Sequence, residues 1–176
     1  LVETADFVIE SFSPGYLDKL GLGYSALEKV NPGIIMVSIT PFGQTGPYKD
    51  YKAPDIVAWA MGGDMYQFGD ADYPLVRISH HSQAYLHAAA KAAVGALVAL
   101  RHRQMTGEGQ QVDVSIQEAV VWCTEWCTAY WDMVKVIQQR GEMVEPGATA
   151  NTKTKRIWPC KDGNVIWMYS GGAAGG

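Results

Sequence analysis

Two short runs of apolar and β-branched residues lie near the start of the chain, at 6–11 (DFVIES) and 34–40 (IIMVSIT). Runs of this length and composition are typical of strands buried in a parallel sheet. The segment between them, 15–30, carries leucines at helical spacing, and Asn31-Pro32-Gly33 provides a stop. The pattern predicts one βαβ unit, with a helix over 15–30.

The middle of the chain continues this alternation of helices and strands. A loop rich in Gly, Pro and Asp is predicted at 42–52 (FGQTGPYKDYK), followed by a short helix at 55–61. A long Ala-rich helix is predicted over 86–103, and Thr106-Gly107-Glu108-Gly109 ends it. Residues 111–116 (QVDVSI) alternate as a strand with one exposed face. The sequence therefore predicts an α/β fold, a parallel sheet with flanking helices.

The end of the chain has a different pattern. Residues 142–155 are polar and rich in turn formers, which indicates a linker. Residues 156–169 (RIWPCKDGNVIWMY) predict a β-hairpin turned at Lys161-Asp162-Gly163-Asn164. We therefore expect a partial large domain over 1–140, and a linker with the first hairpin of a small domain over 141–176.

A predicted helix over 117–140 carries an aromatic stripe and two of the three cysteines. We interpret the stripe as core or subunit contact rather than a ligand site; its members are Trp122, Trp126, Tyr130 and Trp131. Cys123 and Cys127 share a helix face, but no His or Cys at ligand spacing completes a metal site. We expect these thiols to pack in the core, and we expect no metal.

Composition excludes several classes of partner. The formal net charge is -4, and the 14 Lys and Arg residues are scattered along the chain, so nucleic acid is not expected to bind. The most apolar stretch, 88–100, is interrupted by Lys91 and is shorter than the roughly 20 residues of a membrane-spanning helix. Three cysteines do not suggest a disulfide framework, which favours a reducing, cytoplasmic setting. We expect no membrane segment.

The chain lacks several common motifs for nucleotides and acyl transfer. It has no G-x-G-x-x-G between a strand and a helix, no Walker-type loop and no G-x-S-x-G elbow. The Gly-rich run at 171–176 has the wrong spacing for a dinucleotide. The first residue is not Met, and the last residues follow directly on a strand-like run, so we expect that both ends are cut.

Several segments in order along the chain together resemble one family. They are 6–33 (DFVIESFSPGYLDKLGLGYSALEKVNPG), 38–48 (SITPFGQTGPY), the helix that follows, and 106–118 (TGEGQQVDVSIQE). Their sequences and spacing closely resemble the family III CoA-transferases, over about residues 1–169. The resemblance implies a Rossmann-like large domain, a small domain and an interlocked homodimer. Relative to the family, the opening strands and most of the small domain are missing.

The resemblance also implies which residues bind coenzyme A. CoA requires cations or N–H groups for its phosphates and an apolar slot for adenine and pantetheine. From spacing alone, Lys19 and Lys52 are more simply interpreted as solvated lysines, and the resemblance reverses that preference. The residues that it places against CoA are Ser11, Phe12, Ser13, Lys19, Lys52, Ala53, Pro54 and Asp55.

The family's catalytic position is occupied by an unexpected residue. Family III transferases use an aspartate that opens the Ala-rich helix, ten residues before a glycine, and attacks the acyl-CoA thioester. Counting back from Gly95 gives Tyr85, and a phenol cannot form the acyl anhydride of that mechanism. Tyr85 can still donate a hydrogen bond to a thioester oxygen. The other candidate catalytic residues are His80 and His81, as general bases, and Asp55, as the nearest carboxylate.

Three functions remain open from the sequence. The first is a CoA-transferase that moves CoA between an acyl-CoA and a small carboxylic acid. The second is a CoA-binding or dimerisation module without transferase activity, and the third is an acyl-CoA isomerase or intramolecular CoA-transfer enzyme. Racemisation is disfavoured, because the family's racemases carry a GHD-like triplet where this chain has Ala53-Pro54-Asp55.

Overall fold

The computed structural model describes residues 1–69, 72–137, 140 and 157–166. Its main sheet contains three parallel strands in the order β1-β2-β3. The strands are β1 (Phe7–Glu10), β2 (Ile35–Thr40) and β3 (Gln110–Ser115). In register, Ile9 lies beside Val37, which lies beside Val112. The predicted parallel α/β sheet is therefore confirmed.

Six α-helices flank this sheet within the described residues. They are α1 (Tyr16–Lys19), α2 (Tyr24–Val30), α3 (Asp55–Met61), α4 (Gln83–Thr106), α5 (Ile116–Val121) and α6 (Glu125–Val134). Short 3₁₀ turns occupy Val2–Thr4, Asp64–Gln67 and Trp122–Thr124.

The core has two parts, one on each face of the sheet. On one face, Ile35 and Val37 of β2 pack with Trp59 of α3 and Val120 of α5. On the other face, Ile34 and Met36 pack with Leu27 of α2. Because β2 is covered on both faces, five of its six residues are buried and four of the six are apolar, as expected for a buried parallel strand.

The single helix predicted over 15–30 is wrong, because two helices occupy that segment. Gly21 adopts a left-handed φ of +72°, and the N–H of Leu22 donates to the carbonyl of Leu17 at 2.8 Å. This arrangement closes α1 after one turn, as a left-handed glycine commonly does at a helix end. The leucine spacing gave no sign of this break, because Leu17 of α1 and Leu27 of α2 pack in the same part of the core.

Helix α4 lies along the sheet and extends three residues beyond the prediction at each end. Within the described residues it is the one helix long and apolar enough to span a membrane by length and composition. Its alanine face nevertheless packs on the sheet, with Ala84, Ala88, Ala92 and Ala99 almost fully buried. The helix ends at Thr106 and is followed by Gly107, whose φ is +83° and which lies in the predicted stop signal.

The single helix predicted over 117–140 is also wrong. The hydroxyl of Ser115 accepts from the N–H of Glu118 at 3.2 Å and caps α5, which ends after six residues. A 3₁₀ turn separates it from α6, which ends at Val134. In the described structure, Trp122 and Trp131 are about half exposed, so these two aromatic residues do not pack in the core.

The predicted hairpin is confirmed where the structure describes it. Strands β4 (Ile157–Cys160) and β5 (Gly163–Ile166) pair antiparallel around a turn at residues 161 and 162. The flanking hairpin residues 156 and 167–169, and the predicted linker 142–155, lie outside the described residues. The division into a large domain and the start of a small domain stays a prediction.

Candidate active site

A cavity of about 420 Å³ opens at the carboxyl ends of the three parallel strands. Ser11 follows β1, Pro41 follows β2 and Ile116 follows β3, and all three line this cavity. In open α/β sheets, ligands bind outside the carboxyl ends of the strands. The remaining lining residues are Ile39, Ala53, Tyr85, Ala88 and Ala89.

Three of the residues singled out from the sequence converge on this cavity. Ser11, Ala53 and Tyr85 come from three separate segments, and all of them line it. The apolar members of the lining, such as Ile39 and Ala89, were missed. Nothing in an isolated apolar residue marks it as a site residue, although its position at the end of a buried strand could have indicated it.

Asp55 lies between the first turns of α3 and α4. It is the first residue of α3, and only 7% of its surface is exposed. Its Oδ1 accepts from the backbone N–H of Tyr85 at 3.3 Å, and its Oδ2 lies 3.3 Å from Nη2 of Arg77. The dipole of α4 also favours a negative charge at this point. Asp55 therefore places a carboxylate beside the backbone of Tyr85, and both of its oxygens are engaged. Its catalytic role stays a prediction.

Arg77 was not identified from the sequence. It lies in the segment before α4, and its partner Asp55 is 22 residues away along the chain. No periodicity or motif links the two positions, so only the folded chain reveals the ion pair. The side chain of Arg77 remains 37% exposed.

Tyr85 forms an accessible part of the cavity wall. Tyr85 lies in the first turn of α4, is 43% exposed and forms part of the cavity wall. Ala88 and Ala89, one turn further along the helix, are small and leave room beside its ring. A phenol in this position can donate a hydrogen bond to a carbonyl oxygen.

His80 and His81 lie in the segment immediately before α4. Both are exposed, and their ring centroids are 3.8 Å apart. The N–H of His81 donates to the hydroxyl of Ser79 at 3.1 Å. The residues lining the cavity do not include either histidine. Their role as general bases stays a prediction.

The other residues assigned to CoA by resemblance are not among the residues that line this cavity. Phe12 packs on Tyr16 with ring centroids 5.0 Å apart and is half exposed. Ser13 lines a separate polar cavity of about 120 Å³. Lys19 in α1 and Lys52 before α3 are exposed. Pro54 precedes α3 as its N-terminal flanking residue.

The loop before Lys52 contains an aromatic cluster that sequence reasoning missed. Rings of Phe42, Tyr48 and Tyr51 lie with centroids 5.3 to 6.4 Å apart. The backbone N–H of Gln44 donates to Asp113 of β3 at 2.9 Å, which ties the loop to the sheet. The cluster therefore helps to fix the segment that carries Lys52.

A second group of titratable side chains, outside the cavity lining, comes from the 3₁₀ turns at Asp64–Gln67 and Trp122–Thr124 and from α4 and α6. Burial raises the pKa of Asp64, an effect that a positive charge on His87 opposes. Burial also raises the pKa of the Cys123 and Cys127 thiols, so neither has the character of an activated thiolate. Cys123 Sγ lies 3.4 Å from His87 Nδ1. Within the described part of the chain, no group of three or more His, Cys, Asp or Glu side chains could hold a metal ion.

Comparison with solved structures supports the fold. A CAIB/BAIF family protein from Brucella suis aligns with a TM-score of 0.79 at 30% identity, covering 94% of this chain and 42% of that one. This similarity matches the α/β architecture, with its parallel sheet and flanking helices.

Comparison with curated proteins gives named relatives. The succinyl-CoA–D-citramalate CoA-transferase of Chloroflexus aurantiacus is 39% identical over 174 residues, which are 99% of this chain and 42% of the relative. The succinyl-CoA:(R)-benzylsuccinate CoA-transferase subunit BbsE of Thauera aromatica is 40% identical over 166 residues, 94% of this chain and 38% of the relative. The chain thus spans about two fifths of the length of these relatives. The family model described as CoA-transferase family III matches residues 1–174. The chain belongs to CoA-transferase family III.

Proposed function

We propose that the full-length protein moves CoA between an acyl-CoA thioester and a carboxylic acid. One observation carries this proposal: Ser11, Ala53 and Tyr85, which are far apart in sequence, line a single cavity at the carboxyl ends of the strands. The names of the relatives, all CoA-transferases, support the same reaction.

Coenzyme A would lie across the cavity mouth. The cavity wall is mainly apolar, which suits the pantetheine arm, and Ser11 offers a hydroxyl to an amide of that arm. Lys19 and Lys52 are exposed cations on the segments that follow β1 and precede α3, and we assign them to the phosphates. Both relatives have succinyl-CoA in their names, which supports a dicarboxylic acyl donor.

The chemistry at position 85 needs a carboxylate that Tyr85 does not supply. In the family mechanism, an enzyme carboxylate attacks the thioester carbonyl, the carbon–sulfur bond breaks, and CoA thiolate leaves while a mixed anhydride forms. Segment 76–107 contains no Asp or Glu. Asp55 is the carboxylate beside Tyr85, and both of its oxygens already have partners. We assign Tyr85 the role of donating a hydrogen bond to the thioester oxygen.

A second candidate function follows from the same observation. The chain would belong to a CoA-binding subunit whose nucleophilic carboxylate comes from another polypeptide. Tyr85 at the nucleophile position favours this function, and the word "subunit" in the name of one relative supports it.

Assembly and location are further proposals. Leu86, Val94, Leu97 and Val98 form an exposed apolar strip on α4, more than half exposed in each case. Such a strip is typical of a surface covered by other parts of an assembly, which supports a homodimer. The three cysteines are free thiols, which supports a cytoplasmic location.

Isotope exchange tests both candidate functions. Full-length protein alone is incubated with succinyl-CoA and labelled succinate, and label entering succinyl-CoA is measured. Exchange together with a hydroxylamine-trapped adduct on one of its own carboxylates supports the first function and excludes the second. Calorimetric CoA binding without exchange supports the second. Absence of both binding and exchange contradicts both functions.

A further inference from the structure

Arg77 is a cation near Tyr85, and part of its guanidinium group is available to bind a ligand. Its Nη2 contacts Asp55 Oδ2 at 3.3 Å through a single nitrogen rather than as a two-nitrogen fork. The other guanidinium nitrogens have no hydrogen-bond partner among the residues that the structure describes. With 37% of its side chain exposed, Arg77 can still offer donors to a ligand.

Asp55 links Arg77 to the cavity. One carboxylate oxygen contacts Arg77 and the other accepts from the N–H of Tyr85, whose side chain lines the cavity. Arg77 is not itself among the residues that line the cavity, and the Asp55 carboxylate lies between its guanidinium and the backbone of Tyr85. Asp55 and Arg77 neutralise each other, and the N-terminal dipole of α4 leaves a positive potential there.

The other lysines and arginines of this segment either contact another side chain or lie far from Tyr85. Besides Arg77, the lysines and arginines between residues 72 and 107 are Lys91, Arg101 and Arg103. Lys91 lies over the ring of Trp122 at 3.8 Å, and Arg103 pairs with Asp6 at 2.8 Å. Arg101 lies near the opposite end of α4 from Tyr85. Arg77 is thus the arginine of segment 72–107 that lies near Tyr85, where its ion pair with Asp55 holds it.

We propose that Arg77 binds the non-reacting carboxylate of a dicarboxylic acyl group while the thioester carbonyl lies against Tyr85. This inference rests on the proposed acyl-CoA site and adds the residue that would select diacids over neutral acids of the same length. A guanidinium suits this role, because its planar fork matches a carboxylate and stays charged. Asp55 acts as a positioning residue that holds the guanidinium in place.

Binding of two matched thioesters to the full-length protein tests the inference without requiring turnover. Succinyl-CoA and butyryl-CoA have the same chain length and differ in a terminal carboxylate against a methyl group. Calorimetry should show that the parent prefers succinyl-CoA. Arg77→Gln should lower that preference roughly tenfold or more, the effect of one lost charge-assisted hydrogen bond, with butyryl-CoA binding unchanged. Arg101→Gln is the matched control and should keep the parent's preference.

A second variant separates recognition from a structural role. Arg77→Lys retains the charge and should keep part of the preference for succinyl-CoA. If Arg77→Gln and Arg77→Lys weaken both thioesters equally, Arg77 only positions Asp55 and the inference is wrong. It is also wrong if the parent binds both thioesters equally, or if Arg77→Gln keeps the parent's preference; in either case CoA binding itself, and the proposed function, still stand. Failure of the parent to bind either thioester overturns the proposed site and the inference together.

Discussion

The carboxylate of Asp55 accepts a hydrogen bond from the backbone N–H of Tyr85 at 3.3 Å, which fastens the first turn of α4 to the first turn of α3. This contact fixes the backbone at Tyr85, the residue that we propose stands in the place of the family's nucleophile. Asp55 is also paired with Arg77, so its charge is compensated although the residue is buried. The contact gives Asp55 a structural role that does not depend on catalysis.

Asp55→Ala should therefore destabilise the protein. The substitution leaves the N–H of Tyr85 without its acceptor and Arg77 without its counter-ion, at a cost of roughly 1–3 kcal/mol. Urea unfolding of the full-length protein measures the change. Asp50→Ala removes an exposed carboxylate from the nearby loop and should change the free energy of unfolding by less than about 0.5 kcal/mol. Equal effects of the two substitutions would contradict the structural role.

Lys19→Ala and Lys52→Ala should each weaken CoA binding by roughly tenfold or more, because each removes a charge-assisted contact with a phosphate. Calorimetric titration measures the dissociation constants, and the effect should shrink at high salt as screening weakens the contact in the parent. Lys29→Ala, an exposed lysine at the end of α2, is the matched control and should bind as the parent does. Unchanged binding in both test variants would remove these lysines from the site.

The helices and strands could be predicted from the sequence where burial of an apolar face determines the residue pattern. Burial on both faces explains the apolar run of β2, and the alanine face of α4 follows from its packing on the sheet. The two errors have local causes that leucine or aromatic spacing does not show. Gly21 closes α1 by adopting a left-handed conformation, and a 3₁₀ turn at 122–124 separates α5 from α6.

The candidate site was only partly predictable. Ser11, Ala53 and Tyr85 belong to motifs that the family resemblance marks, and they do meet in one cavity. The ion pair of Arg77 with Asp55 depends on how a connecting segment folds over α3, which no local pattern encodes. Apolar wall residues such as Ile39 carry no chemical signal at all. The sequence thus marked residues of the proposed site, whereas it did not mark the apolar cavity wall or the ion pair between Arg77 and Asp55.

Gly95→Ala should destabilise the protein although alanine is the better helix former. In an exposed helix this substitution would stabilise by about 1 kcal/mol. Here a Cβ at Gly95 would lie 2.7 Å from Cγ1 of Val112, so α4 would be pushed away from β3, at a cost of about 1–3 kcal/mol. Thermal or urea unfolding gives the sign. Val112→Ala should make Gly95→Ala less costly; a stabilising Gly95→Ala in the parent background would show that α4 does not approach β3 this closely.

Asp64→Asn should stabilise the protein, and more so at neutral than at acidic pH. Burial raises the pKa of Asp64 in the folded chain, so the folded state binds the proton more tightly than the unfolded state does. The contribution of Asp64 to stability therefore falls as pH rises from the ordinary carboxyl pKa through the raised one, and stays low above it. An amide carries no charge to desolvate and escapes this penalty.

Urea unfolding at pH 4 and pH 7 tests this dependence. The gain in unfolding free energy from Asp64→Asn should be larger at pH 7, whereas Asp50→Asn, at an exposed site, should give no such difference. An equal gain at both pH values would mean that ionised Asp64 is not penalised in the folded state.

Tyr85→Asp should give the chain a nucleophile of its own. The backbone at position 85 is already fixed by Asp55, the neighbouring Ala88 and Ala89 leave space, and the side chain lines the cavity. A carboxylate placed there can attack the thioester carbonyl, expel CoA thiolate and form an acyl anhydride, which the thiolate can convert to an enzyme thioester with release of the acid. Hydroxylamine trapping followed by peptide mass analysis should locate the adduct at residue 85 in the variant and not in the parent.

Tyr85→Phe is the matched control, since it keeps the ring and removes only the hydroxyl. It should form no adduct at residue 85 and should bind CoA as the parent does, while any exchange activity of the parent should fall by roughly tenfold if the phenol hydrogen-bonds the thioester oxygen. If Tyr85→Asp binds acyl-CoA normally yet yields no adduct, the thioester carbonyl does not lie against position 85. The assignment of this cavity as the reacting site would then be wrong, even though the chain would still bind the coenzyme.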